Sequence, residues 1–325
     1  SPVLPSVAQV FAGQGSQPFT GHEWAEQSQE RELLNDLQFP LNFRANSFLV
    51  GWAAALALGG VTSVLEGATG HYTHTIVPTR PTLTSGTFDA KVTSLYLEAF
   101  NAEAGRRKAI FPSLAVPQFT IGIRPRDECS LSMDFIGSGK EDTATSVTVG
   151  LLQPWFFLPG TGAKVEIGDT GGALTDYTSR LREASIQILQ ELRPDLGYIP
   201  NATTPADGKY RSNMEFRKRS ALVRIVLETD RSNYDLYTRK KARTRSEIKI
   251  TVDSGLVAGT GTKNHSFVFR IPDCRLSEAP FDFDGGDAVN GIEAGADTQY
   301  VSAAIGSLGM AKAIALGCGF TPNKI

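Results

Sequence analysis

Charge of one sign is what this sequence most plainly lacks: 32 Lys and Arg stand against 34 Asp and Glu, a formal net charge of −2. Such a chain cannot coat a polyanion by counterion release, which excludes a general nucleic-acid wrapper. Cysteine is scarce as well. Cys129, Cys274 and Cys318 lie far apart, none forms a CxxC pair, and a count of three excludes a fully paired disulfide framework. Assembly in a reducing cytoplasm is the expectation. Unbroken apolar runs of membrane-spanning length are also missing. Residues 47–61 fall short of the roughly 20 that a bilayer needs. Residues 301–320 are long enough but carry Lys312 and the weak helix formers Gly306, Gly309, Gly317 and Gly319. They read as a C-terminal arm, packed or partner-bound. The first five residues hold neither a basic segment nor an apolar run, so no signal peptide is expected.

What is present points to a β-rich fold. The 325 residues are 41% hydrophobic and 20% charged, which excludes disorder as the main state and leaves room for one large domain or two modules. Period-two alternation recurs. Phe119, Ile121 and Ile123 alternate with polar or small residues; so do Cys129, Leu131, Met133 and Phe135, then Val147, Val149 and Leu151. The second half repeats the style at Ala184, Ile186 and Ile188, at Val223, Ile225 and Leu227, at Ile248, Ile250 and Val252, and at Phe267, Phe269 and Ile271. Strands of this kind bury one face and wet the other, as antiparallel sandwiches and barrels do. Residues 47–58 predict a short buried helix. Residues 232–240 predict a second, capped by Ser232 or Asn233. The implied organisation is an N-terminal arm over 1–46, a β module over 47–165, a second over 166–300 and a C-terminal arm over 301–325, with the boundary in the glycine-rich stretch 160–172.

Several motifs invite a chemical reading. Gly13-Gln14-Gly15-Ser16-Gln17 resembles the GQGSQ string of malonyl-CoA acyltransferases. The GHSxG nucleophile of that family is absent, so a flexible arm is the plainer expectation and no enzyme is expected. Gly137-Ser138-Gly139-Lys140-Glu141 echoes a P-loop but ends in a carboxylate, which repels phosphate. Asp282, Asp284, Asn290 and Glu293 partly match a calcium loop, with Gly286 and Asp287 in the wrong order at its turn. His71 and His74, three apart in an apparent strand, are expected on opposite faces and so share no metal; His22 and His265 add no spacing pattern. No cofactor is implied. The densest charge is Arg239, Lys240, Lys241, Arg243 and Arg245, read as a subunit contact or a solvated loop.

One resemblance covers roughly residues 47–300. His71-Tyr72-Thr73-His74-Thr75-Ile76-Val77-Pro78, then Ser94-Leu95-Tyr96-Leu97-Glu98, then Phe119-Thr120-Ile121, close on Leu131-Ser132-Met133-Asp134-Phe135-Ile136-Gly137. In order and character these strings resemble the tail tube (major tail) proteins of long-tailed bacteriophages. The strands around Ala184–Ile188, Ala221–Leu227 and Phe269–Pro272 sit where that family's later strands would. The resemblance implies a β-sandwich or half-barrel with one or two short helices, possibly duplicated. Its copies would form trimeric or hexameric rings that stack into a hollow virion tail, assembled in the host cytoplasm. Implied partners are the chain itself, tape-measure, terminator and baseplate proteins, and DNA in transit without tight binding; no membrane is implied. A tail terminator or hub-type ring of related fold is the alternative.

Overall fold

The computed structural model describes residues 8–16, 29–65, 71–78, 93–101, 105–140, 157–193, 215–228, 234–258, 260, 262–278, 289–296 and 315–320. Within them the first strands are β1 (Ala8–Ser16), β2 (Gln29–Arg44), β3 (Gly59–Leu65), β4 (Tyr72–Pro78), β5 (Thr93–Asn101), β6 (Gly105–Ile123) and β7 (Ser130–Gly137). The later ones are β8 (Ala163–Asp169), β9 (Leu174–Asp176), β10 (Leu181–Arg193), β11 (Glu215–Glu228), β12 (Ser246–Val257), β13 (Asn264–Glu278), β14 (Val289–Ala296) and β15 (Ala315–Phe320). Two helices accompany them, α1 (Ser47–Leu58) and α2 (Tyr234–Ala242). The protein is mainly β and antiparallel, as the alternation predicts.

The strands form two layers that share β13. The first runs β1-β2-β7-β6-β10-β11-β14-β13, and the second β9-β8-β12-β13-β15-β4-β3, with β5 paired to the N-terminal half of β6. Register sets apolar residues opposite one another. Ile186 faces Ile121 and Val223, Phe119 faces Met133, and Ile248 faces Ile167 and Ile271. All are buried in one core cluster. A one-residue slip would turn every one of them outward, so the alternation fixes the pairing.

α1 has the outline the sequence predicts. Asn46 caps its start, with Oδ1 accepting from the Leu49 N–H at 2.8 Å, and Gly59 at φ 94° ends it, a conformation that favours glycine. A helix apolar on all sides must be buried on all sides. α1 accordingly packs on β6, β7 and β10 of one layer and on β3, β4, β13 and β15 of the other. Trp52 and Phe39 both lie against Phe135, with ring centroids 6.0 and 5.4 Å away. Each such side chain contributes about 1.5–3 kcal/mol of transfer energy.

The structure departs from the sequence reading at the expected boundaries. Residues 37–45 belong to the sandwich rather than to an arm: β2 pairs with β7 from Leu37 to Arg44, and Leu37, Phe39 and Leu41 are buried. The prevalence of polar residues across 1–46 hid this short alternation. The 165/166 boundary falls inside β8, and β6 and β10, from either side of it, pair over six residues. Part of the expected C-terminal arm is a strand, β15, seated between β4 and β13. Residues 147–151 and the caps Ser232 and Asn233 lie outside the described residues.

Candidate interaction surface

The two ends of the second layer differ in chemistry. At one margin, β9 is three residues long and runs into a 3-10 turn at Thr178–Arg180. There the Val165 N–H donates to Thr178 Oγ1 at 3.1 Å, and the Tyr177 N–H donates to the Val165 carbonyl at 2.9 Å. Lys164 pairs with Glu166 and Asp176 beside it. This margin is closed by its own chain. At the other margin, β3 pairs with β4 along seven residues, and its second edge carries no strand among the described residues. Its sequence, Gly59-Gly60-Val61-Thr62-Ser63-Val64-Leu65, holds no charge and no proline, the usual guards of an edge. Val64 is 56% and Leu65 46% exposed.

Register places a second apolar pair at the same end of that layer. Leu65 pairs with Tyr72, Tyr72 with Phe320, and β13 begins beside Val257 through Asn264. Leu256 and Val257, both about half exposed, therefore share an end with Val64 and Leu65. Scattered apolar residues are ordinary on a surface; here Val64 and Leu65 stand on the open edge itself, and Leu256 and Val257 stand four strands away on the same rim.

The solvent face of the first layer is mostly polar, with Leu189 and Leu222 exposed on it. Cross-strand rows read Asn42, Ser132, Thr120, Gln187 and Leu222; then Arg44, Ser130, Gly122, Ser185 and Arg224. Asp134 stands in the next row, where burial raises its carboxyl above the usual range. From β2 to β11 these rows hold the charges Arg44, Arg224 and Asp134, and Glu293 of β14 continues the row of Arg224. Ion pairs flank both layers: Arg44–Glu128, Arg124–Glu183 and Arg182–Glu228 at one end of the first, and Lys249–Glu166 at 2.9 Å and Arg270–Glu247 at 2.5 Å on the second.

The sequence-predicted residues are distributed as follows. Arg239 bonds Asp169 of β8 at 2.5 Å, and Arg245 bonds the buried Asp273 of β13 at 2.7 Å. Two of the five bases thus clamp α2 and its exit to the second layer, beside the Tyr177 hydroxyl, which donates to Asp235. Lys241 and Arg243 are exposed and Lys240 half-buried. Gly13, Gln14, Gly15 and Ser16 lie in β1, and Gly137-Ser138-Gly139-Lys140 in the turn that ends β7. Asp282 and Asp284 fall outside the described residues, while Asn290 and Glu293 sit on β14, in register with Leu227 and Arg224. Among the described residues no group of three His, Cys, Asp or Glu is placed to hold a metal.

The histidines correct one expectation. His71 precedes β4 rather than lying in it, so strand parity does not part it from His74. Both are buried, as is His265, and the His71 charge bears on each of the other two. Ser63 Oγ lies 2.7 Å from His74 Nδ1 and ties the open edge strand to this interior cluster. Burial pushes the Cys129 and Cys274 thiols up to about 12, the opposite of what a nucleophile requires. No helix among the described residues is long and apolar enough to cross a membrane.

Neither a protein-family model nor a curated protein matches the chain. The open β3 edge, the apolar rim and the neutral polar field are features that sequence reading did not locate. The run Gly59–Leu65 was visible, but nothing in it reveals which strand of a sheet stands last.

Proposed function

We propose that this chain is a structural virion protein that self-assembles into stacked rings, forming the tube of a long bacteriophage tail through which DNA is ejected. The observation that carries the reading is the contrast between the closed β9 margin and the open β3 margin. An unguarded edge is a template for pairing with another chain, and a protein that must stay monomeric blunts it. A head-to-tail contact between unlike margins generates rings or filaments.

The polar field of the first layer supports the same reading. DNA in transit must pass without being held, and a surface of Asn, Ser, Thr and Gln with few charges offers phosphates no dense positive patch. In the assembled tube this face lines the passage, and the outer face of the second layer points away from it. Tape-measure, terminator and baseplate proteins are the partners this role requires.

Val64→Lys tests the edge. A charge there guards β3 while leaving the buried side of the strand intact. The variant keeps its circular-dichroism spectrum and loses assembly by gel filtration. Assembly unchanged by this substitution would count against the edge as the contact. A single closed ring in place of stacked rings, from the unmodified chain, would favour a terminator or hub.

A further inference from the structure

Three two-stranded ribbons leave the first layer at one and the same end. β2 pairs with β7 only from Leu37 onward, and its earlier residues pair with β1 alone, back to Ser16 opposite Gln29. β6 joins β7 from Ala115 onward, and its earlier residues pair with β5 alone. β10 pairs with β6 as far as Leu189 and continues with β11 alone to Arg193 opposite Glu215. Since Leu37 stands opposite Gly137 and Ala115 opposite Ile136, the β1–β2 and β5–β6 extensions lie past the C-terminal end of β7, and the β10–β11 extension leaves toward the same end, level with its last residues. Two of the departures coincide with a local irregularity in the chain. Ser113, at φ 56° beside Pro112, bends β6. A register shift at Glu191/Leu192 bends β10, where Leu192 packs on Ala115.

A ribbon of two strands is marginal in water on its own. The three also differ in charge. The β1–β2 ribbon carries Glu30, Glu32 and Asp36 against one base, Arg31. The β10–β11 ribbon carries Arg193, Arg217, Lys218 and Arg219 against Glu191 and Glu215. The β5–β6 ribbon carries Arg106, Arg107 and Lys108 against Glu98. β1 is the outermost strand of the layer on one side, and β10–β11 is the ribbon farthest from it in strand order.

We propose that the acidic β1–β2 ribbon of one copy lies beside the basic β10–β11 ribbon of a second copy, forming the lateral contact of a ring. This rests on the tube reading above and names its side-to-side contact. Copies standing the same way up present unlike ribbons to one another at the same height, so the contact is heterologous and repeats around a ring. Opposite charges set its register and suppress wrong pairings.

The test uses charge reversal in the 325-residue chain, read by sedimentation velocity and electron microscopy, with circular dichroism to confirm folding. E30K/E32K alone and R217E/R219E alone each lose at least tenfold of the assembled material. A chain carrying all four substitutions regains it, because every contact is again between unlike charges. R106E/K108E does not rescue E30K/E32K. Assembly of the unmodified chain weakens as salt rises from about 0.05 M to about 0.5 M, where screening shortens the reach of exposed charges. E30K/E32K that assembles like the unmodified chain overturns the proposal and leaves the tube reading standing, as does rescue by the β5–β6 reversal instead. An unmodified chain that never assembles at any salt concentration removes the tube reading and this contact with it. If either reversed chain misfolds, the salt series decides: assembly indifferent to salt contradicts the proposal.

Discussion

Arg270 donates its Nε–H to Glu247 across the β12–β13 ladder at 2.5 Å, and the Glu247 side chain is 1% exposed although it alternates with the core residue Ile248. A buried carboxylate is stable only while its partner is present. Arg270→Ala is expected to cost about 3–5 kcal/mol, mostly from the charge left behind, and E247L/R270L to recover most of that loss. Urea denaturation of the three chains checks both values; equal loss in the single and double variants would contradict the pairing.

Arg243 ends α2 at φ 53°. The Thr244 N–H donates to the Arg239 carbonyl and the Arg243 N–H to the Lys240 carbonyl, both at 3.0 Å, which is the left-handed cap that normally uses glycine. Arg243→Gly therefore raises stability by about 1 kcal/mol, since the Cβ clash is removed. A lower melting temperature would show that the arginine side chain contributes more than its strain costs.

Arg245 and Lys241 belong to one basic run but have different roles. Arg245→Glu sets a second carboxylate against the buried Asp273 and costs about 1–3 kcal/mol, less than a fully buried pair because the Arg245 side chain is 52% exposed. Lys241→Glu, on an exposed position, leaves the melting transition in place. Thermal denaturation followed by circular dichroism separates the two. Loss of assembly on reversing Arg245 would therefore report folding rather than a subunit contact.

Burial lowers the basicity of His74 and His265, and the neighbouring His71 lowers both further. A folded-state value below the ordinary 6.5 means that the unfolded chain takes up protons first. The stability these residues contribute is complete above about pH 6.5 and is lost as pH falls through that value toward the lower folded ones. Denaturation midpoints measured between pH 7.5 and pH 5, values that bracket an ordinary histidine of about 6.5, should fall, and His74→Gln should flatten the fall. An equal slope in both chains would deny His74 this role.

The strands were legible because their cause is local. Phe119, Ile121 and Ile123 alternate, and alternation alone decides which side is wet. α1 was legible because residues 47–58 form a largely apolar run, while its cap at Asn46 and its stop at Gly59 emerge in the structure. Strand order is not local. That β3 is a margin, that β13 serves both layers and that β6 meets β10 across the glycine-rich stretch depend on pairings between distant segments. The interaction surface follows from that order, so the sequence showed its residues without showing that they were exposed together. The basic run was visible as charge, but the acids that engage Arg239 and Arg245 lie 70 and 28 residues away.

Cryo-electron microscopy of the purified 325-residue chain at high concentration tests the tube assembly most directly. Hollow tubes or stacked rings are expected, with β3 continuing into a neighbouring copy and the face bearing Ser132, Thr120 and Gln187 toward the lumen. A uniform population of dispersed single chains, with the β3 edge bare, would contradict it.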